Sequence, residues 1–451
     1  MTIILGGGPA GRIAAIHLAD AGEEVRLVEG SRIGGQCLHF GCMLVCGLND
    51  AARVMATNRQ FRDLGVLDTI PALDFPRLMR ELKSVQETIS VVLDSETKAA
   101  GVDIVYGCEA GLNGNVVLLG DEILKPDSVI VATGSRPAIP DIPGTRLDRV
   151  YTPHTIPAMK DLPDSLAIIG GGIMAAEFAY IFRTLGSEVH LLSRSGLLRN
   201  LDPHLRAAAL RELGEVNIMQ DVCVKGIEGN VNVEAVRIAT GNDEKVVHAD
   251  AVLIAAGLIP RSEKIQGIRK GPAGELIVDS RMRTSMEGVY AAGDVTGPPY
   301  LTPVARREGT VAAENILGRD CTMDYRYIPQ SMNLATEFGF VGGAGSGALS
   351  MSMPGPAGPG TFWQVPFRST GISKVSIGMD DGRIIGAASA GPGSGTIAGY
   401  VGFLIQNGFT AHDLSGFMEV HPSTDGIQGL LKYAGAYLRK RQSGTDSKPP
   451  E

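Results

Sequence analysis

The chain opens with an apolar run, a glycine turn and a helical period, and the same pattern then recurs. Ile3-Ile4-Leu5 reads as a buried strand, Gly6-Gly7-Gly8 as a tight turn, the residues after Pro9 as a helix and Val25–Glu29 as a second strand. Displaced by 164 residues (167 − 3) without a gap, Ile3–Glu29 falls on Ala167–Ser193 with nine identities. These include Gly6/Gly170, Gly7/Gly171, Gly8/Gly172, Gly22/Gly186 and Val25/Val189. One Gly-x-Gly-x-x-Gly is weak evidence, whereas two in register, each between a strand and a helix, are strong. The pattern predicts an α/β fold with two doubly wound dinucleotide-binding domains.

Each copy carries its own chemistry. The first glycine of the motif (Gly6, Gly170) permits the tight turn, and the second (Gly8, Gly172) lets backbone approach a pyrophosphate. The third position must be small so that helix packs on strand, and it is Gly11 in one copy and Ala175 in the other. The helix N-termini, with Pro9 and Ala10 in the first copy and Ile173 in the second, then face the phosphates. The second strands end differently. Glu29 places a carboxylate where it accepts both hydroxyls of a ribose. Ser193 has lost the acid and is followed by Arg194 and Arg199, which favours a ribose 2′-phosphate and hence NADP(H) over NAD(H). The alternative is that both arginines are ordinary surface residues.

Composition narrows the picture. The 451 residues are 44% hydrophobic and 20% charged, which excludes disorder throughout, and the length suits two to four domains. The 59 glycines show no period of three, so they imply tight turns or backbone pressed against ligands. A net charge of −8 gives no nucleic-acid footprint. Phe338–Phe367 and Ile384–His412 lack charged residues but are broken by Gly, Pro and Ser, so no membrane span is expected. No signal architecture precedes Thr2, and a cytoplasmic location is expected. In that setting the six cysteines point to catalysis or inert burial rather than a disulfide scaffold.

Two cysteines fall in Gly34-Gly35-Gln36-Cys37-Leu38-His39-Phe40-Gly41-Cys42, and a third, Cys46, lies one helical turn further on. Taken alone, Cys37, His39, Cys42 and Cys46 are also a conceivable zinc set, although unusually close together. With the flanking nucleotide motifs, the segment resembles the flavin-dependent pyridine nucleotide–disulfide oxidoreductases, the group of dihydrolipoyl dehydrogenase, glutathione reductase and mercuric reductase. Val131-Ala132-Thr133-Gly134 and Ile254-Ala255-Ala256-Gly257 resemble that family's strand-to-loop closures, and Ala291-Ala292-Gly293-Asp294-Val295 its second flavin motif. The resemblance implies FAD, a redox disulfide between Cys37 and Cys42, Cys42 facing the flavin, Cys37 exchanging with substrate, and Asp294 on the ribityl chain. It further implies a homodimer in which His421 of one subunit serves the other's dithiol as acid/base.

The family pattern breaks in three places. The Lys that touches the flavin is replaced by Cys46, and the Pro-Ser before it by Leu44-Val45. The Glu that pairs with that Lys is kept as Glu177, whose counterpart in the repeat is Ile13, so a carboxylate is expected at an apolar position with a raised pKa or a substitute donor. In His421-Pro422-Ser423-Thr424-Asp425-Gly426 the family's Glu position is Gly426, and Asp425, one residue early, is the candidate to orient the imidazole. Gly339–Gly360, with eight glycines and three prolines, reads as a long loop where relatives carry sheet.

The expected organisation is a flavin-binding domain over 1–143, resuming over 260–318, with an NAD(P)-binding domain over 144–259 between them. An α+β interface domain over 319–441 and a disordered tail over 442–451 follow, and a helical hairpin-like stretch is expected around Phe75–Ala100. The implied activity is NAD(P)H:disulfide oxidoreduction, on a lipoyl-type dithiol or a low-molecular-weight disulfide. Two other readings stay open: a slow-turnover flavin redox sensor or complex subunit, and a carbon–sulfur bond reductase resembling oxopropyl-coenzyme M reductase, which also has a His between its cysteines. Mercuric reduction is disfavoured because the C-terminus lacks a cysteine pair.

Overall fold

The computed structural model describes residues 1–108, 110–343, 347–422 and 425–443. Ser423, Thr424 and the tail beyond Ser443, on which expectations were placed above, lie outside the described residues.

The repeat folds as two parallel five-stranded sheets. The first runs Val289–Ala291, Ser128–Val131, Thr2–Leu5, Val25–Glu29, Asp103–Tyr106 in spatial order. The second runs Asn217–Gln220, Glu188–Ser193, Ser165–Ile169, Ala251–Ile254, Val150–Tyr151. Even the register repeats: Thr2 lies beside Val25, and 164 positions on Leu166 lies beside Val189. Both central strands are almost free of solvent, as parallel strands covered on two faces must be. A third, antiparallel sheet is built from Gln330–Asn333, Glu337–Gly342, Ile384–Ala390, Ile372–Gly378 and Ala348–Pro354.

Two sequence expectations are corrected. Phe75–Ala99 is one continuous 25-residue helix, opened by the Asp74 side chain accepting from the Arg77 backbone N–H. The hairpin forms between it and the preceding helix Cys42–Asp63. The 339–360 segment contains two strands, Glu337–Gly342 and Ala348–Pro354, and its residues after Pro354 run as coil and turn. Gly339, Gly342 and Gly355 serve packing: a Cβ on Gly339 would stand 1.9 Å from the Ser394 carbonyl oxygen at the start of helix Ser394–Gln406, and one on Gly342 or Gly355 would also meet a backbone oxygen.

Helix Cys42–Asp63 positions the site. Leu44 and Val45, where the resembling family has Pro-Ser, are 1% and 3% exposed and join one core with Phe178 and Phe182 of helix Ile173–Leu185. The helix that carries the thiols is thereby seated on the helix that carries Glu177. Among the described residues no helix is long and apolar enough to cross a membrane.

Candidate functional site

The first glycine turn is compressed. A Cβ on Gly6 would fall 2.3 Å from the Ala132 carbonyl oxygen, and one on Gly11 would fall 2.0 Å from the Gly6 carbonyl oxygen. Gly8 by contrast has open space, with only Gly35 near at 3.9 Å, at the head of helix Pro9–Asp20. The Glu29 carboxylate is held by two backbone donors, Gly7 N at 2.7 Å and Ser31 N at 2.8 Å. Each oxygen keeps a second lone pair for a ligand hydroxyl. Gly34 and Gly35 take positive φ, which brings the short helix Gly35–His39 against Gly8. Ala132-Thr133-Gly134 leaves the strand beside Gly6, with the Thr133 hydroxyl donating to the Arg261 carbonyl at 2.6 Å. Asp294 follows Gly293 and accepts from the Ser135 hydroxyl at 2.6 Å; burial raises its pKa and that bond opposes the rise. An open phosphate-facing turn, an oriented carboxylate and a half-buried second acid fit a flavin dinucleotide.

The second turn opens onto a cleft of about 800 Å³. Gly170, Gly172, Ile173, Ser193, Arg194 and Gly257 line it, and so does Gln36 from the cysteine segment. Gly172 has no neighbour within 4 Å of a built Cβ, as a site of close ligand approach requires. Arg199 is exposed and outside the lining.

Cys37, Cys42 and Cys46 are free thiols. Cys37 is brought down to about 6, chiefly by a hydrogen bond from Cys42, with burial opposing and the Thr302 hydroxyl and Arg306 assisting. Cys42 is pushed up by the same pairing and by burial, and its Sγ lies 3.9 Å from Thr302 Oγ1. Cys46 is pushed up to about 11 by desolvation first, then by Cys42, Glu177 and Asp50. His39 is buried with Nε2 2.9 Å from the Ile33 carbonyl, so the imidazole that suggested a zinc ligand or carbon–sulfur chemistry is turned into the core.

Glu177 is 8% exposed, and burial raises it to about 7. The substitute donor is a backbone N–H, that of Asn333, at 2.8 Å. Asn49 and Arg53, on the thiol-bearing helix, donate to the Asn333 and Leu334 carbonyls of the same turn.

His421 is exposed, in a segment where Phe417, Met418 and Val420 are also exposed. Asp425 accepts from the Tyr400 hydroxyl at 2.6 Å and from Ile427 N at 2.7 Å, which caps the last helix. A Glu in place of Gly426 meets a wall, because a Cβ there would lie 2.6 Å from Ser373 Oγ and 3.0 Å from Ser373 Cβ. Thr302, Asn333 and Tyr400 escaped sequence reasoning. Only Thr302, which opens helix Thr302–Ile316 ahead of a proline, carries a local signal.

The family model described as pyridine nucleotide-disulphide oxidoreductase matches residues 1–309, and the chain belongs to that family. It is an FAD-dependent oxidoreductase of the class that acts on sulfur groups with NAD(P). It is 28% identical over 445 residues to dihydrolipoyl dehydrogenase of Bacillus subtilis (strain 168), covering 94% of this chain and 93% of that protein. It is also 28% identical to mercuric reductase of Staphylococcus aureus, covering 92% of this chain and 78% of that one. Among solved structures, the HOCl-induced flavoprotein disulfide reductase RclA of Escherichia coli superposes with a TM-score of 0.82 at 23% identity, over 97% of this chain and 99% of that one. LpdA of Mycobacterium tuberculosis gives 0.85 at 22%, with the same coverage.

Proposed function

We propose that the protein is an NADPH-preferring disulfide reductase in which Cys37 and Cys42 form the redox pair. The observation that carries this reading is the placement of the two thiols: Cys37 on the short helix set against Gly8 of the first glycine turn, and Cys42 at the start of the next helix with its Sγ 3.9 Å from Thr302 Oγ1. The thiolate is the nucleophile, and the lowering of Cys37 by Cys42, Thr302 and Arg306 makes it the thiol prepared to attack. Its sulfur displaces one thiolate from a substrate disulfide and forms a mixed disulfide. Cys42, having given up its proton, attacks Cys37 Sγ and releases the second thiolate. The chain is left with the Cys37–Cys42 disulfide, and two substrate thiolates take up two protons. When bound, FAD supplies the passage of two electrons from NAD(P)H back to that disulfide. Gly6, Gly8, Gly11 and Glu29 would hold it, with Asp294 at its polyol chain. Gly170, Gly172, Ser193 and Arg194 would hold the nicotinamide nucleotide.

The substrate is proposed to be a low-molecular-weight disulfide or a lipoyl dithiol, and the cytoplasm the working compartment. The exposed segment around His421 suits a homodimer in which that imidazole serves the partner's thiols. A slow-turnover sensor is favoured by one feature, Cys46 in place of a cation beside Glu177. Thiols released per NADPH oxidised, over a panel of disulfides, test the reading. Two per NADPH are expected from the native protein and none from Cys37→Ser. Turnover retained by Cys37→Ser would overturn it, and slow turnover on every disulfide would favour the sensor.

A further inference from the structure

Two stacked rings line the cleft, and neither belongs to the mechanism above. Phe40 and His154 lie with centroids 4.7 Å apart and planes inclined by 26°. Phe40 ends the short helix that carries Cys37. His154 comes from the other side, in the turn after the edge strand Val150–Tyr151 of the second sheet, where the Thr152 N–H donates to Thr155 Oγ1 at 2.8 Å. His154 Nε2 lies 2.7 Å from Gln36 Oε1. An amide oxygen only accepts, so this ring nitrogen carries the proton and donates. Ser135 Oγ lies 3.4 Å from the same amide oxygen but donates its one proton to Asp294 at 2.6 Å, so the hydrogen-bonded link from His154 ends at Gln36. Burial first, and then the charge of Arg261, brings the imidazole down to about 4, so it stays neutral and single-donor near pH 7. Gln36 directly precedes Cys37. A ring in the nucleotide cleft is therefore tied by one hydrogen bond to the turn that bears the lowered thiol.

We propose that His154 is a positioning residue that couples occupancy of the nucleotide cleft to the orientation and reactivity of Cys37. The stacked pair offers a flat aromatic face inside the cleft, suited to a planar heteroaromatic ring such as nicotinamide. A nucleotide that moves the His154 ring must stretch or release the bond to Gln36, and Cys37 moves with it. The inference rests on Cys37 being the exchanging thiol.

The test is alkylation of Cys37 by iodoacetamide in the dithiothreitol-reduced, flavin-loaded protein, with and without saturating 1,4,5,6-tetrahydro-NADP. The Cys37 peptide is quantified by mass. The reduced-ring analogue fills the cleft and neither delivers nor accepts electrons, so the dithiol stays reduced. In the native protein the nucleotide is expected to change the Cys37 rate at least threefold. His154→Phe keeps an aromatic stack and loses the donor, so the response should disappear. His154→Gln restores a donor and should recover part of it. The KM for the nucleotide should move less than kcat in His154→Phe. A native protein without the response, or a His154→Phe protein with the full response, overturns the proposal. Turnover of Cys37→Ser on disulfides separately reports whether Cys37 is the exchanging thiol, so the two failures are distinguishable.

Discussion

The two repeated units share the glycine turn, the register of their first two strands and the order of four of their five strands, and three of the matched positions at which they differ bear on function: Gly11 against Ala175, Ile13 against Glu177, and Glu29 against Ser193. Backbone geometry explains what is common, and side chains at the edges explain what each unit does. In the first unit the third motif position has no room, whereas the second unit accommodates a methyl there. In the first unit the strand ends in an oriented carboxylate; in the second it ends in a buried hydroxyl with an arginine beside the cleft. The comparison teaches that the glycine turn is common to both units while the residues just outside it differ, and those residues are where the proposed choice of nucleotide is to be tested.

The sharpest break in the comparison is the third glycine. Gly11→Ala places a Cβ 2.0 Å from a backbone oxygen that cannot rotate away, and is expected to cost about 3 kcal/mol or more and to release the flavin. Ala175→Gly should cost only about 1 kcal/mol. Thermal unfolding with flavin-release fluorescence compares the two. A Gly11→Ala protein that keeps its flavin and its Tm would show that the first turn relaxes as the second does.

The next effect separates Glu177 from Ile13. The folded-state pKa of Glu177 is raised from 4.5 to about 7, by burial first. Below about pH 4.5 the acid is neutral in both states and brings no penalty. Between about 4.5 and 7 only the unfolded chain ionises, so stability falls as pH rises, and above 7 the deficit is constant at up to about 3 kcal/mol. Glu177→Gln keeps an acceptor for the Asn333 N–H and removes the titration. Its Tm should match the native protein at about pH 4 and exceed it at pH 8. Equal Tm values at both pH values would mean that the native carboxylate ionises without cost.

The fold was legible because the repeat is a backbone signal, carried by glycines and apolar runs that tolerate little else. Burial of Glu177 was legible from its apolar counterpart Ile13. Its donor was not, because Asn333 N–H is a main-chain group 156 residues away and no side chain advertises it. The glycine-rich 339–360 segment misled for a related reason. Gly339 relieves contact with the Ser394 backbone, and composition does not distinguish that use from a loop. His154 is a single imidazole in a segment without periodicity, so only its ring contact and its bond to Gln36 reveal it. Gly426 shows the reverse case: the missing Glu was visible in the sequence, and the wall formed by Ser373 was not.

Smaller effects probe the strand ends. Ser193→Glu gives the second unit the acid of the first, whose turn already accepts that side chain. Repulsion from a 2′-phosphate should raise the KM for NADPH at least tenfold, about 1.4 kcal/mol, with the KM for NADH changed less than threefold. Arg194→Ala should weaken NADPH comparably, and less so at high salt, where the native contact is already screened. Steady-state kinetics at two ionic strengths measure both. Equal losses with NADH would make the two residues structural rather than selective.

The smallest effect concerns Arg199, which the sequence pairs with Arg194 because both follow the strand end where Ser193 replaces the acid. The structure separates them: Arg194 lines the cleft and Arg199 stands outside it, past the turn that Leu198 N–H makes with the Gly171 carbonyl at 2.8 Å. A guanidinium outside the cleft acts on a phosphate only through screened, long-range attraction, and the Debye length at physiological salt is about 8 Å. Arg199→Ala should therefore change the KM for NADPH less than twofold at physiological ionic strength, with a larger change only at low salt. A loss equal to that of Arg194→Ala would mean that the 194–199 turn closes on the bound nucleotide, and that the second unit's selectivity is made by a moving loop and not by the strand end alone.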